Sequence, residues 1–326
     1  AQMTQQTESP SQTTDDVRRL AVGRGDVLNL NRILVPLNGF RRSEQILPFA
    51  SMLADWFSGE ITLFHSLPST HPARGARPGQ VQYPDAPHDR GTSLATAYLE
   101  EVVSRLGPHG VKSRWGVATG DTAAMIASRS ATSSFGIVAV ATTPRSRPHR
   151  LVSRGLLEGL WRNTAVPLLI VNPVNTSLNG VQPIPPKELI VPCSRGIADS
   201  ALPIASAIAG ASRSSVKILL SKSNSTGEIE DELINMFSND NVKIEIIHGE
   251  RKIARQVHEL QADHQGSWIV VGSKMRSGLA RSILGSTSDT LAREAVGPIV
   301  VAPDPKVMRR RKQTAHEATR NLATSL

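Results

Sequence analysis

The chain has a single cysteine among its 326 residues, Cys193, so no disulfide can close within it. Scarce cysteine fits a reducing compartment, and the expected location is the cytoplasm. Aromatic residues are 4% of the total. No apolar run approaches the roughly 18–20 residues a membrane span needs. The longest, such as Ala165–Val171, suit a buried strand. The polar start (AQMTQQTESPSQTTDD) does not follow the basic-then-apolar layout of a secretory signal. Cys-x-x-Cys is missing, and the nine histidines show no metal spacing. The phosphate loop ending Gly-Lys-Ser/Thr and the dinucleotide GxGxxG are also missing. With no legible Ser-His-Asp set or carboxylate pair, the chain reads as a non-enzyme.

What is present is a duplication. Residues 33–54 (ILVPLNGFRRSEQILPFASMLA) match 189–209 (LIVPCSRGIADSALPIASAIA) with one single-residue gap, and 165–173 (AVPLLIVNP) match 295–303 (AVGPIVVAP). The same order in both copies means that a whole unit is repeated. The expected organisation is an N-terminal arm over 1–28, a first unit over 29–173, a proline-rich linker over 174–187, a second unit over 188–303 and a basic tail over 304–326. Each unit is near the usual domain size.

Strand and helix patterns alternate in both units. In the first, strands are expected at Ile33–Leu37, Glu60–Leu67, Lys112–Val117, Gly136–Ala141 and Pro167–Val171. Helices are expected at Ser43–Trp56, Ser93–Leu106, Thr122–Ser130 and Arg154–Thr164, with a long aperiodic loop over 68–92. The second repeats the order from Glu188 to Ala302. Short strands that are apolar throughout indicate a parallel sheet covered on both faces. The fold class is therefore α/β, two tandem doubly wound domains, each with a five-stranded parallel sheet. In such sheets ligands sit beyond the carboxyl ends of the strands, where strand order reverses. His65 and His248 lie near strand ends and read as structural, and Cys193 reads as a buried, inert side chain.

The net charge is +9. The tail over 304–326 holds six basic residues against two acidic ones. A basic surface attracts nucleotides, RNA, DNA or acidic lipid heads; its plainer reading is a solvated face that keeps the chain soluble. The run Arg309-Arg310-Arg311-Lys312 has no interleaved aromatics, and a disordered solubilising tail is its plain reading.

One loop carries chemistry. After the fourth strand of the second unit the chain reads Gly272-Ser273-Lys274-Met275-Arg276-Ser277-Gly278-Leu279-Ala280-Arg281-Ser282-Ile283-Leu284-Gly285-Ser286-Thr287. Glycines let the backbone approach an anion. Gly285-Ser286-Thr287 opens a helix whose free N–H groups and positive dipole end favour phosphate. A glycine-containing connection with an ordinary serine cap explains the same letters without a ligand.

These features together resemble a tandem universal stress protein. The units open with strands of the ILVPxDGS type, at Ile33–Gly39 and Leu189–Ser194. They close with a GxxG-x9-G(S/T) pattern, a helix and a strand of the P-V-x-V-V type. The resemblance implies five parallel strands per unit, pairing of the two units within the chain with a homodimer also open, and ATP, with Mg2+, bound without rapid turnover. Carried over position by position, it implies a nucleotide site at Pro192, Ser194, Gly272, Ser273, Arg276, Gly278, Gly285, Ser286 and Thr287. Met275 replaces the intermediate glycine, and Ser194 stands where the family has the acidic residue that reaches the nucleoside. The first unit departs further, with Asn38, Ala141, Pro144 and Arg154-Gly155 at the motif positions, and reads as having lost nucleotide binding. Its Arg145, Arg147, His149, Arg150 and Arg154 either hold an anion or form a solvated loop. The expected function is a universal-stress-type regulator that binds an adenine nucleotide in the second domain and signals through an unknown protein partner. The alternative is a nucleotide-independent module docking through residues 309–312 to RNA or another acidic partner.

Overall fold

In Ile33-Leu34-Val35 all three successive side chains are buried, so the strand needs a cover on each face. The structure, a computed structural model, describes residues 29–69, 86–141, 156–172, 185–193, 199–221, 227–238, 240–249, 253–264, 266–273 and 286–324. The first unit holds β1 (Arg32–Pro36), α1 (Leu47–Trp56), β2 (Glu60–Leu67), α2 (Ala86–Leu106), β3 (Lys112–Thr119), α3 (Thr122–Thr132), β4 (Ile137–Ala141), α4 (Leu156–Asn163) and β5 (Leu168–Val171). The second repeats it with β6 (Glu188–Cys193), α5 (Ala201–Ser212), β7 (Ser215–Ser221), α6 (Gly227–Ser238), β8 (Ile244–Gly249), α7 (Ile253–Asp263), β9 (Trp268–Ser273), α8 (Ser286–Glu294) and β10 (Ile299–Pro303). A ninth helix, α9 (Pro305–Thr324), follows.

Within each unit the strands are parallel, in the orders β3-β2-β1-β4-β5 and β10-β9-β6-β7-β8. The two sets form one ten-stranded sheet, because β5 and β10 pair antiparallel with Ile170 opposite Ile299 and Leu168 opposite Val301. Both strands are buried along their whole length. Each closes the other's edge, which would otherwise present unpaired N–H and C=O groups.

Alternate strand residues feed two apolar layers. Ile33, Val35, Val191 and Val270 pack under α1, α2, α5 and α6, while Leu34, Ile190, Ile269 and Val271 pack under α3, α4, α7 and α8. The first layer crosses the seam: the rings of Phe49 and Trp56 on α1 lie 5.9 and 5.6 Å from that of Trp268 on β9. Such pairs add about 0.5–1.5 kcal/mol each beyond their burial.

Three sequence expectations change. The helix over Ser43–Trp56 is broken: Arg41–Glu44 is a single turn and α1 starts at Leu47, because Pro48 has no N–H and fits only a first turn. The loop over 68–92 ends early, since α2 begins at Ala86; Asp89 favours its first turn, although no apolar periodicity marks the start. The largest change is at the C-terminus, where the expected solubilising tail is helical over Pro305–Thr324 and lies on α3 of the first unit. Val307 enters the second apolar layer. Arg311 is half-buried, and its Nη1 donates to the carbonyl oxygens of Trp161 at 3.1 Å and Thr164 at 2.7 Å. These carbonyls close the C-terminal end of α4, where a cation also meets the negative end of the helix dipole. Burial lowers the Arg311 pKa to about 10. The run 309–312 is therefore not one contact surface: Arg309 and Arg310 face solvent, Arg311 is turned inward and Lys312 is half-buried.

Candidate functional site

Strand order reverses between β6 and β9, since β6 connects outward to β7 and β9 to β10. The two strands pair only at Leu189–Trp268 and Ile190–Ile269, so their carboxyl ends run on without a shared ladder. Pro192, near the end of β6, has no N–H to continue one. The result is a switch-point crevice between Pro192-Cys193 on one side and Gly272-Ser273 on the other.

Short polar side chains lace its rim. Ser288, buried in the first turns of α8, donates its hydroxyl to the Gly272 carbonyl at 3.0 Å, which sets the N-terminal turn of α8 against the strand end. Ser200 donates to the Ala302 carbonyl at 2.9 Å, and the Asp304 N–H donates to the Ser273 carbonyl at 3.1 Å. Asp199, only 4% exposed, accepts from the Ala201 N–H at 3.1 Å, a side-chain turn just ahead of α5, whose N-cap residue is Ser200.

Gly272 is a glycine because of Asp199. A Cβ built on it collides with the Asp199 carboxylate and comes within 3.0 Å of the Ser200 hydroxyl. The sequence reading gave this glycine to an approaching anion; in the structure a carboxylate of the chain itself takes that space. Phosphate is therefore disfavoured directly over Gly272, and the N-terminal turn of α8 is the better place for it. A buried carboxylate suits donors such as sugar hydroxyls.

Of the residues expected at the site, Pro192, Gly272 and Ser273 end their strands together, and Ser286 and Thr287 open α8. Ser194, Arg276, Gly278 and Gly285 lie outside the described residues, as does Met275. Asp199, Ser200 and Ser288 were not anticipated; an Asp-Ser pair just before the α5 pattern is the signal that marks the first two. Among the described residues no group of three or more His, Cys, Asp or Glu side chains could hold a metal ion.

The first unit keeps the two-rung β1/β4 pairing and a proline, Pro36, at the strand end, and differs in the polar side chains around them. Counting back from the shared Leu-Pro pair (Leu47-Pro48 and Leu202-Pro203), Glu44 aligns with Asp199. Its carboxylate accepts from the Tyr98 hydroxyl at 3.0 Å and from Arg105 Nη2 at 2.8 Å. Burial, reinforced by Glu44, pushes the Tyr98 pKa up, and the hydrogen bond to Glu44 raises that of Arg105. Asn38 is folded onto its own turn, with its side-chain oxygen accepting from the Phe40 N–H at 3.1 Å across Gly39, whose φ is +81°. Burial lowers the pKa of His65, whose ring centroid is 6.5 Å from that of Tyr98. The basic residues 145–154 lie outside the described residues.

Residues 204–303 match the universal stress protein family. That stretch runs from within α5 to the end of β10, nearly the whole second unit. The universal stress protein fold is present twice in the chain. A universal stress protein from Archaeoglobus fulgidus DSM 4304 aligns over 85% of this chain and 97% of its own, at 16% identity and a TM-score of 0.67. A functionally unknown protein from Pseudomonas aeruginosa PAO1 aligns over 89% and 98%, at 14% identity and a TM-score of 0.61. At these identities the likeness is one of fold. No curated protein matches the chain. Among the described residues no helix is long and apolar enough to cross a membrane.

Proposed function

We propose that the chain is a regulatory universal stress protein that holds one adenine nucleotide, with Mg2+, in its second unit and works through a protein partner rather than by catalysis. The observation that carries this reading is the Ser288–Gly272 hydrogen bond, which holds the N-terminal turn of α8 at the β6/β9 crevice. Free N–H groups and the helix dipole there suit phosphate. Asp199, whose carboxylate lies against Gly272, suits the ribose hydroxyls. The residues fit a nucleotide whose sugar lies toward α5 and whose phosphates lie toward α8. Mg2+ commonly binds through phosphates and water rather than in an all-protein cage, so it would arrive with the nucleotide. Nucleotide binding would bias a surface that the partner reads, by no more than its differential affinity for the two states. The test is calorimetric titration of the intact chain with ATP and Mg2+, alongside a Gly285→Val variant in which a branched Cβ blocks backbone approach. Binding in the parent chain and its loss in the variant are expected. Equal affinity in both would sink the site assignment.

A further inference from the structure

The strongest feature that the nucleotide reading leaves unused is α9. Over Pro305–Thr324 it carries Lys306, Arg309, Arg310, Arg311, Lys312 and Arg320 against one acidic residue, Glu317, or +5 of the chain's net +9. At about 100° per residue the helix divides in two. Val307, Met308, Arg311, Lys312 and Ala315 make the half-buried side, anchored by Val307 in the apolar layer and by Arg311 on the α4 carbonyls. Lys306, Arg309, Arg310, Gln313, Glu317 and Arg320 are all exposed and fall within roughly 100° of arc on the other side. The row from Lys306 to Arg320 runs about 21 Å.

We propose that this outer face of α9 is a docking surface for the phosphate backbone of duplex nucleic acid, without sequence preference. Three arguments select that partner. The face is cationic and pre-organised: α9 is already packed on the first unit, so no helix has to form on binding. The apolar side of the helix is turned inward, which leaves nothing to insert into a lipid surface as an interfacial helix does. The helix has no Phe, Tyr or Trp, so the stacking that single strands require is missing, and charge against regularly spaced phosphates is what the face offers. Glu317 interrupts the row and favours a contact centred on Lys306, Arg309 and Arg310. The face begins two residues after Asp304, whose N–H meets Ser273 at the crevice rim, and Arg309 and Arg310 carry it further along the helix, so the proposal does not depend on nucleotide binding.

The experiment is fluorescence-anisotropy titration of the full chain with a labelled DNA duplex of about 20 base pairs at several salt concentrations. Parallel arms use a single strand of the same length, poly-glutamate and phosphatidylserine vesicles. Three phosphate contacts give a log–log salt slope near −2.7, so a rise from about 50 to 200 mM weakens binding roughly fortyfold. In an Arg309→Glu/Arg310→Glu variant, whose fold is checked by circular dichroism, binding falls at least tenfold and the slope shrinks toward −1. Unaltered duplex binding in the folded double variant overturns the proposal. So does equal or tighter binding of the single strand, of poly-glutamate or of the vesicles.

Discussion

At the carboxyl end of β9 a glycine admits the Asp199 carboxylate; at the motif position on β4 stands Ala141, and the matching acid, Glu44, is tied to Tyr98 and Arg105 instead. Both units keep the two-rung pairing at the switch point and full apolar layers, and the described polar contacts around it differ. A second contrast lies on the opposite layer. Val166 is 2% exposed and its repeat partner Val296 is 52% exposed, and the first unit alone has α9 packed on its α3 helix. Pairing of β5 with β10 thus joins two units of one topology, with the C-terminal helix packed on the first.

The largest effect should come from putting a bulky side chain where the second unit has none. Gly272→Val drives a branched side chain into Asp199 and Ser200, and a loss of about 3 kcal/mol is expected. The reciprocal Ala141→Gly should change stability by no more than about 1 kcal/mol. Guanidinium denaturation of both variants measures the difference, and similar values would erase the contrast between the crevices.

Next in size is Arg311→Ala, which strips two charge-assisted hydrogen bonds from the end of α4. A loss of about 2 kcal/mol is expected, with proteolytic clipping inside α9 at protease levels that leave the parent intact. Resistance equal to the parent's would mean that α9 is held by other contacts. The valine pair follows: Val166→Ala should cost about 1.5 kcal/mol and Val296→Ala less than about 0.5 kcal/mol. Equal costs would contradict the difference in burial.

The smallest effect concerns His65, whose register partner in the second unit is Leu220. Burial lowers its folded pKa below the ordinary 6.5, so the folded state resists the proton that the unfolded chain accepts. The stability this gives is present above pH 6.5 and is lost as pH falls below it. His65→Leu should flatten that part of the stability–pH curve. An unchanged slope would assign the acid sensitivity elsewhere.

The repeat made most of this architecture legible, because paired copies fix strand positions better than either copy alone. The seam was not: β5 and β10 read as ordinary buried strands, and nothing in Leu168–Val171 says that its neighbour runs antiparallel. Asp199 was hidden where the copies diverge, in SRGIADS against NGFRRSEQ, so attention fell on Ser194, one position after the strand. Helix α9 escaped because its inward side includes Arg311 and Lys312, and a stripe with two cations does not register as apolar periodicity. In each case the deciding partner lies more than a hundred residues away or in a stretch without a matching copy.

The central claim is that one crevice of the two is functional. Mass spectrometry of small molecules released by denaturing the purified chain, with calorimetric titration by ATP and Mg2+, tests it directly. The account predicts one adenine nucleotide per chain, removed by Gly272→Val and unaffected by Ala141→Gly. Two per chain would contradict the reading of the first unit, and none, with no heat on titration, would contradict that of the second.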